Sequence, residues 1–70
     1  MEVLLVSYER EYDAIKVLQN LHLEFSRIKV LDDPVNGKLT AFDIYLEDRA
    51  PEKIAEKFWD NGLFALIVNI

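Results

Sequence analysis

Residues 25–46 read FSRIKVLDDPVNGKLTAFDIYL, and this stretch decides the fold. Apolar and polar residues alternate on both sides of its centre, as they do in strands that bury one face. The centre carries Pro34 and Gly37, which favour a turn because proline presets φ and glycine tolerates a positive φ. The stretch therefore predicts a β-hairpin.

The alternation also constrains how the two strands of this hairpin pair. Side chains expected to be buried occupy even-numbered positions in both strands, and they must lie opposite one another. Pairing Ile28 with Ile44 meets this condition. It also places Lys29 opposite Asp43 and Arg27 opposite Tyr45, two favourable pairs on the solvent face. The register requires a bulge, which we place at Gly37.

An amphipathic helix precedes the hairpin and a second one follows it. Apolar residues recur at helical spacing over residues 12–21, with Ser7 as the expected N-cap and Asn20 as the left-handed residue that ends the helix. The second helix is expected to start at Pro51 and to end before Gly62.

Short apolar segments at 3–6 and 63–70 predict a first and a last strand. The order strand, helix, strand, strand, helix, strand is that of an α+β, ferredoxin-like, split βαβ sandwich. Right-handed crossovers then give a four-stranded antiparallel sheet of order 4-1-3-2, with both helices on one face. Seventy residues hold a single core, so we expect one domain over residues 1–70.

The residue inventory excludes several kinds of catalytic and metal site. The chain has no cysteine, so a disulfide scaffold, a thiolate zinc site and a cysteine nucleophile are excluded. Its single imidazole, His22, has no partner residues and is expected to be a solvent-facing loop residue. Neither Gly37 nor Gly62 leads into a helix, so a phosphate-binding loop is not expected. We expect a non-enzymatic protein without cofactor or metal.

We expect no signal peptide from the first residues of the chain. Glu2 is acidic and only residues 3–6 form a continuous apolar run, which is too short for a signal peptide. No segment approaches the roughly 20 apolar residues that cross a bilayer. We therefore expect a cytoplasmic protein with no membrane partner.

The sheet face without helices is predicted to carry Ala41, Tyr45, Ala65 and Ile67, which makes it unusually apolar and favours association. The last strand is also an edge without lysine, proline or internal charge, so nothing in it opposes pairing with another chain. We expect a homodimer, or docking onto another protein, through the sheet face or through the edge strand. Trp59 is expected in the core. The candidate interface residues are Tyr45, Phe64, Ala65, Leu66, Ile67 and Val68.

The element order and several short motifs resemble the small regulatory domains of ACT type and their NIL-type relatives. The resemblance spans the whole chain and is best over residues 38–70. It implies a non-catalytic regulatory module that dimerises and binds a small molecule at the interface. ACT domains place ligand-contacting residues, including a glycine, between the first strand and the first helix. The chain has no glycine there, and the candidate ligand loop is Ser7, Tyr8, Glu9 and Arg10.

Two alternatives involve charge. Eight Lys and Arg against thirteen Asp and Glu give a net charge of −5, which would suit an acidic binder that masks a basic, nucleic-acid-binding surface of a partner. RNA binding through Arg27, Lys29, Lys38 and Tyr45 is a lesser alternative, because the third strand offers a single outward aromatic residue.

Overall fold

The strands of the computed structural model, which describes residues 1–70, form one antiparallel sheet in the order β2-β3-β1-β4. This confirms the α+β class with a four-stranded antiparallel open sheet and two helices, and it places β1 and β3 in the centre. The elements are β1 (Glu2–Ser7), a 3-10 helix (Tyr8–Arg10), α1 (Glu11–Asn20), β2 (Glu24–Asp33), β3 (Gly37–Tyr45), α2 (Pro51–Asp60) and β4 (Ala65–Asn69).

Both helices pack on the same face of the sheet, and one hydrophobic core fills the space between them. The cluster combines side chains of every strand except β2 with side chains of both helices and the adjoining loops. Phe25 of β2 packs against this core, with its ring edge-on to Phe42 at 5.8 Å between centroids. The largest fully buried side chains are Phe42, Phe58, Leu4, Leu18 and Val6.

The hairpin of β2 and β3 forms, but the predicted register is wrong. Asp33 pairs with Gly37 across a three-residue turn, and Lys29 pairs with Ala41 rather than with Asp43. The bulge lies in the middle of β2, between Arg27 and Lys29, and not at Gly37. Gly37 instead supplies the positive φ of 75° that the turn needs.

The bulge leaves Ile28 unpaired, and it turns the side chains that precede it to the opposite face of the sheet from the one predicted. Ile28 is 44% exposed rather than buried, and it does not pair with Ile44. Arg27 pairs with Phe42, which lies in the core, so Arg27 is directed to the helix side of the sheet. An even-odd rule cannot anticipate this change of face, because one inserted residue reverses the parity of everything beyond it.

The ends of α1 differ from the sequence prediction. Ser7 belongs to β1 and makes no side-chain capping hydrogen bond. Asn20 is helical, and the left-handed residue is His22, with φ 57°. The N–H of Leu23 donates to the carbonyl of Leu18 at 3.2 Å, and this hydrogen bond terminates the helix with His22 as its left-handed residue. The expectation for α2 is confirmed: it starts at Pro51 and is followed by Gly62 in the left-handed region.

Candidate functional site

The open face of the sheet, opposite the helices, has a polar half and an apolar half. Strands β2 and β3 contribute Lys29 and Asp43 to it, whereas β1 and β4 contribute only apolar side chains in the corresponding rows. In those rows Leu5 pairs with both Ala41 and Leu66, and Val3 pairs with both Asp43 and Val68. Apolar character therefore increases across the sheet toward β4.

Part of this open face is already covered by neighbouring side chains. Val3, Leu39 and Ala41 are buried although they do not belong to the core cluster under the helices. Other large apolar side chains stay exposed around β4. Five of the exposed large hydrophobic residues lie along or beside this strand, and we call them the edge patch: Met1, Trp59, Phe64, Leu66 and Ile70.

Ala65 and Ile67 do not lie on the open face, where the sequence placed them. Ala65 pairs with Val6 and belongs to the core, and Ile67 pairs with Leu4 and packs against that core. Leu66 and Val68 of the same strand point to the open face instead. Residues 64–68 are all apolar, so the composition of the strand gives no indication of which alternate set is buried.

Tyr45 is on the open face but is separated from β4. It is 63% exposed and pairs with Glu24 of β2, so the whole of β1 lies between Tyr45 and β4. Of the six candidate interface residues, the structure thus brings Phe64, Leu66 and Val68 together at one edge. It places Tyr45 elsewhere on the open face, and it buries Ala65 and partly buries Ile67 on the helix side.

The backbone of β4 alternates between groups bonded to β1 and groups that face the free edge. Met1 and Ile70 exchange both backbone hydrogen bonds, each at 2.8 Å. Because bonded and non-bonded pairs alternate in an antiparallel ladder, the N–H and C=O groups of Ala65, Ile67 and Asn69 point away from β1. These three residues carry the unpaired backbone of the edge.

One of those edge carbonyls already has a partner. The indole Nε1 of Trp59 donates to the carbonyl oxygen of Ala65 at 3.1 Å. Trp59 lies in the last turn of α2 and is 54% exposed, so the expectation of a core position is wrong. A shallow apolar groove of about 230 Å³ separates α2 from β4 beside this ring, with Ala55 and Leu66 among its lining residues.

The candidate ligand loop is compact and largely exposed. Tyr8, Glu9 and Arg10 form the 3-10 helix, and Arg10 donates from Nε to Asp13 of α1 at 2.7 Å. A wide depression of about 440 Å³ lies on one side of this segment and is lined in part by Tyr8 and Glu9. Ser7 is not among its lining residues, so the four candidate positions do not share one pocket.

A cleft at one end of the sheet is strongly acidic. It encloses about 610 Å³, and Arg49 is its one basic lining residue. One carboxylate oxygen of Glu2, Oε2, is buried there without a hydrogen-bond partner. No group of three or more His, Asp or Glu side chains has an arrangement that could hold a metal ion. The carboxylates that line the cleft are Glu2, Glu24, Asp43, Glu47 and Asp48.

The basic residues of the RNA alternative do not form one surface. Arg27 was expected opposite Tyr45, but it points to the helix side and donates from Nε to Glu11 at 2.7 Å. Tyr45 is on the open face. Lys29 lies on the open face of β2, one row beyond Asp43. A stacking platform flanked by cations is therefore not assembled.

Comparison with known proteins gives no match: no family model, no curated protein and no solved structure is significantly similar to this chain. None of its helices has the length and apolar character needed to span a membrane.

Proposed function

We propose that this protein is a non-catalytic interaction module of ferredoxin-like, ACT-like type that forms a homodimer through β4 and the edge patch. One observation carries the proposal: a strand with unpaired backbone groups lies beside five exposed large hydrophobic side chains. Isolated exposed apolar residues are ordinary, but several of them beside an open sheet edge form a surface that associates readily.

The size of the edge patch is compatible with a small dimer interface. Trp59, Leu66 and Ile70 are 54%, 48% and 73% exposed. With full areas of roughly 200 Å² for each large side chain, the edge patch presents roughly 500 Å² of water-exposed surface per chain. About 1,000 Å² in total is therefore the most that two copies could bury through the edge patch, and this is near the lower limit for a specific protein–protein interface.

A second copy is the partner that this edge fits most simply. Antiparallel pairing of a strand with its own copy satisfies the free N–H and C=O groups of both chains at once, and it closes with two-fold symmetry. No side chain of residues 63–70 carries a charge, so pairing brings no like-charged side chains of this segment into contact. The module is proposed to act in the cytoplasm, and the ACT resemblance adds a small-molecule ligand near the loop of residues 7–10.

Sedimentation velocity of the wild-type chain and of a Leu66→Lys variant tests the proposal. The wild type should sediment as a dimer at high micromolar concentration, and Leu66→Lys should shift it to the monomer, because the ammonium group would be buried in the contact. Val35→Lys at the hairpin tip introduces the same charge at an 87% exposed residue and is the matched control. A wild-type monomer, or equal dissociation of both variants, would contradict the proposal.

Leu66 is preferred to Ile67 for this test because of the face each occupies. Ile67 packs against the core under the helices, so Ile67→Lys would lower the free energy of unfolding whether or not a dimer forms. Leu66 lies on the open face of the same strand and is about half exposed. A lysine there leaves the core intact.

The acidic cleft supports a second candidate function, the docking of a basic partner surface. Five carboxylates and one arginine line it, so its charge complements a cluster of lysine and arginine residues. A Glu24→Lys and Asp43→Lys double variant should abolish binding to a poly-lysine peptide if this function exists. The edge-patch variant Leu66→Lys should leave that binding unchanged. Binding that survives the double variant would exclude the cleft.

A further inference from the structure

We propose that the second copy pairs with β4 in one register, with the two-fold axis at Val68, and that Trp59 selects this register. The inference rests on the proposed homodimer and specifies its geometry. It follows from which backbone groups of β4 face the free edge and from the one hydrogen bond that already occupies one of them.

Only a few antiparallel registers are open to β4. Residues whose backbone faces the edge must pair with residues whose backbone also faces the edge, and in β4 these are Ala65, Ile67 and Asn69. Three registers bring two such residues together within the strand. They place the axis at Leu66, at Ile67 or at Val68.

The Trp59 indole separates these three registers. An axis at Leu66 pairs Ala65 with Ile67 of the second copy, and an axis at Ile67 pairs Ala65 with its Asn69. Both require the Ala65 carbonyl, which already accepts the indole N–H at 3.1 Å, to accept a second hydrogen bond from the other chain. A carbonyl oxygen has two lone pairs, so these registers are less favourable because the acceptor is shared and the incoming strand must approach it beside the Trp59 ring. With the axis at Val68, Ile67 pairs with Asn69 in both directions and the Ala65 carbonyl keeps its Trp59 donor.

The same register brings the exposed apolar side chains together. On the open face Val68 lies opposite its own copy, and Leu66 lies opposite Ile70 of the second chain. Leu66 and Ile70 are 48% and 73% exposed. Directly opposed side chains are the ones that contact each other across strands, so both are covered in this arrangement.

Cysteine cross-linking measures this register directly, because the natural chain contains no cysteine. At the axis, Val68 lies opposite Val68 of the second copy, and the two residues form a non-hydrogen-bonded pair. The Cα atoms of such a pair are about 4.5 Å apart, which is within the range that a disulfide spans. The two copies of Ile67 are diagonal neighbours roughly 8 Å apart, which is too far. Val68→Cys should therefore give at least about tenfold more disulfide dimer than Ile67→Cys on mild oxidation.

Two further variants complete the experiment. Leu5→Cys lies on the open face of the central strand β1 and should stay uncross-linked in an edge-paired dimer. Only dimers that stack face to face would bring this position near its copy. Trp59→Phe keeps an aromatic ring but removes the N–H, which frees the Ala65 carbonyl. The registers with the axis at Leu66 and at Ile67 then become available, so Leu66→Cys or Ile67→Cys should cross-link in the Trp59→Phe background and neither should in the wild-type background.

The outcomes separate this register from the dimer itself. Cross-linking of Ile67→Cys without that of Val68→Cys overturns the proposed register, while the homodimer through β4 survives. Cross-linking of Leu5→Cys assigns the contact to the open face and overturns the edge pairing. A sedimentation experiment that finds only monomer overturns the homodimer and the register together. If neither Leu66→Cys nor Ile67→Cys cross-links in the Trp59→Phe background, Trp59 does not select the register.

Discussion

Arg27 donates from Nε to Oε1 of Glu11 at 2.7 Å, although sixteen positions separate the two residues and they belong to different elements. The other oxygen of the same carboxylate accepts from Thr40 Oγ1 at 3.1 Å. Glu11 thus connects the start of α1 to both strands of the hairpin. Thr40 is fully buried, so this connection satisfies a hydroxyl that has no access to water.

Removal of the Glu11 carboxylate should lower the free energy of unfolding by about 1–3 kcal/mol, because the Thr40 hydroxyl is left buried and unpaired. In a Thr40→Val background the same Glu11→Ala change should cost less, since no hydroxyl remains to be orphaned. Urea denaturation of the two single variants and of the double variant gives the coupling free energy. Glu9→Ala, at an exposed residue nearby, is the control, and strictly additive losses would contradict the proposed role of Glu11.

The Glu11 contact also illustrates what the sequence could not provide. The hairpin, its turn and the strong alternation in β3 were predictable from composition and period. The bulge at Ile28 was not predictable, because an isoleucine at this position is as compatible with a regular alternating strand as with a bulge. That residue moves Arg27 from the solvent face to the helix side, so an interaction between distant segments depends on a local irregularity without a sequence signal.

His22 occupies a backbone conformation that favours glycine. Its φ of 57° lies in the left-handed region, as the φ of 72° does at Gly62, the corresponding residue after α2. His22→Gly should raise the free energy of unfolding by about 0.5 kcal/mol, the strain relieved minus the entropy that glycine adds to the unfolded chain.

Asn20→Gly is the matched control for His22→Gly. Asn20 is the last residue of α1, so glycine there should destabilise the protein by a few tenths of a kcal/mol, up to about 0.5 kcal/mol. Thermal unfolding of both variants distinguishes the two positions. If Asn20→Gly were stabilising and His22→Gly destabilising, the left-handed residue would be Asn20, as the sequence predicted, and not His22.

Asp33 stabilises the hairpin turn in a pH-dependent way. The backbone N–H groups of Asn36 and Val35 donate to its carboxylate, and they hold the pKa of Asp33 below its ordinary value of 3.8. Because the folded state has the lower pKa, this stabilisation is present above pH 3.8 and is lost as the pH falls through the folded value. Wild type should therefore be more stable than Asp33→Asn at pH 7, and the difference should shrink below pH 3.8.

Urea midpoints of the wild type and Asp33→Asn at pH 7 and at pH 3 measure this effect. Asp32→Asn removes the same charge one residue earlier and controls for the change in net charge. A stability difference between wild type and Asp33→Asn that is equal at both pH values would show that the two turn hydrogen bonds do not depend on the ionised carboxylate.

The edge strand of the candidate site was predictable from the sequence, but the identity of its exposed side chains was not. The absence of charge in residues 63–68 identified an edge that could pair, and the structure shows unpaired backbone there. Its faces were assigned the wrong way round, because an all-apolar strand has no period. Trp59 was assigned to the core because it follows Phe58 and lies near Ala55, both buried. Position 59 is at the boundary of that helix face, and only the location of β4 decides where the ring lies.

The salt dependence of dimerisation should separate the edge-patch dimer from docking of a basic partner. Each chain carries a net charge of −5. Two such charges separated by 25 Å, the middle dimension of the molecule, repel by about 4 kcal/mol in water without salt. The Debye length falls from about 30 Å at 0.01 M salt to about 8 Å at 0.15 M, so most of this repulsion disappears over that range.

The dimer dissociation constant should therefore fall as sodium chloride is added, whereas binding of a basic peptide to the acidic cleft should weaken. Sedimentation equilibrium across this salt range measures the first effect, with Leu66→Lys as the variant that should remain monomeric throughout. Dissociation of the wild-type dimer by salt would mean that charge pairs, and not the apolar edge, hold the two copies together.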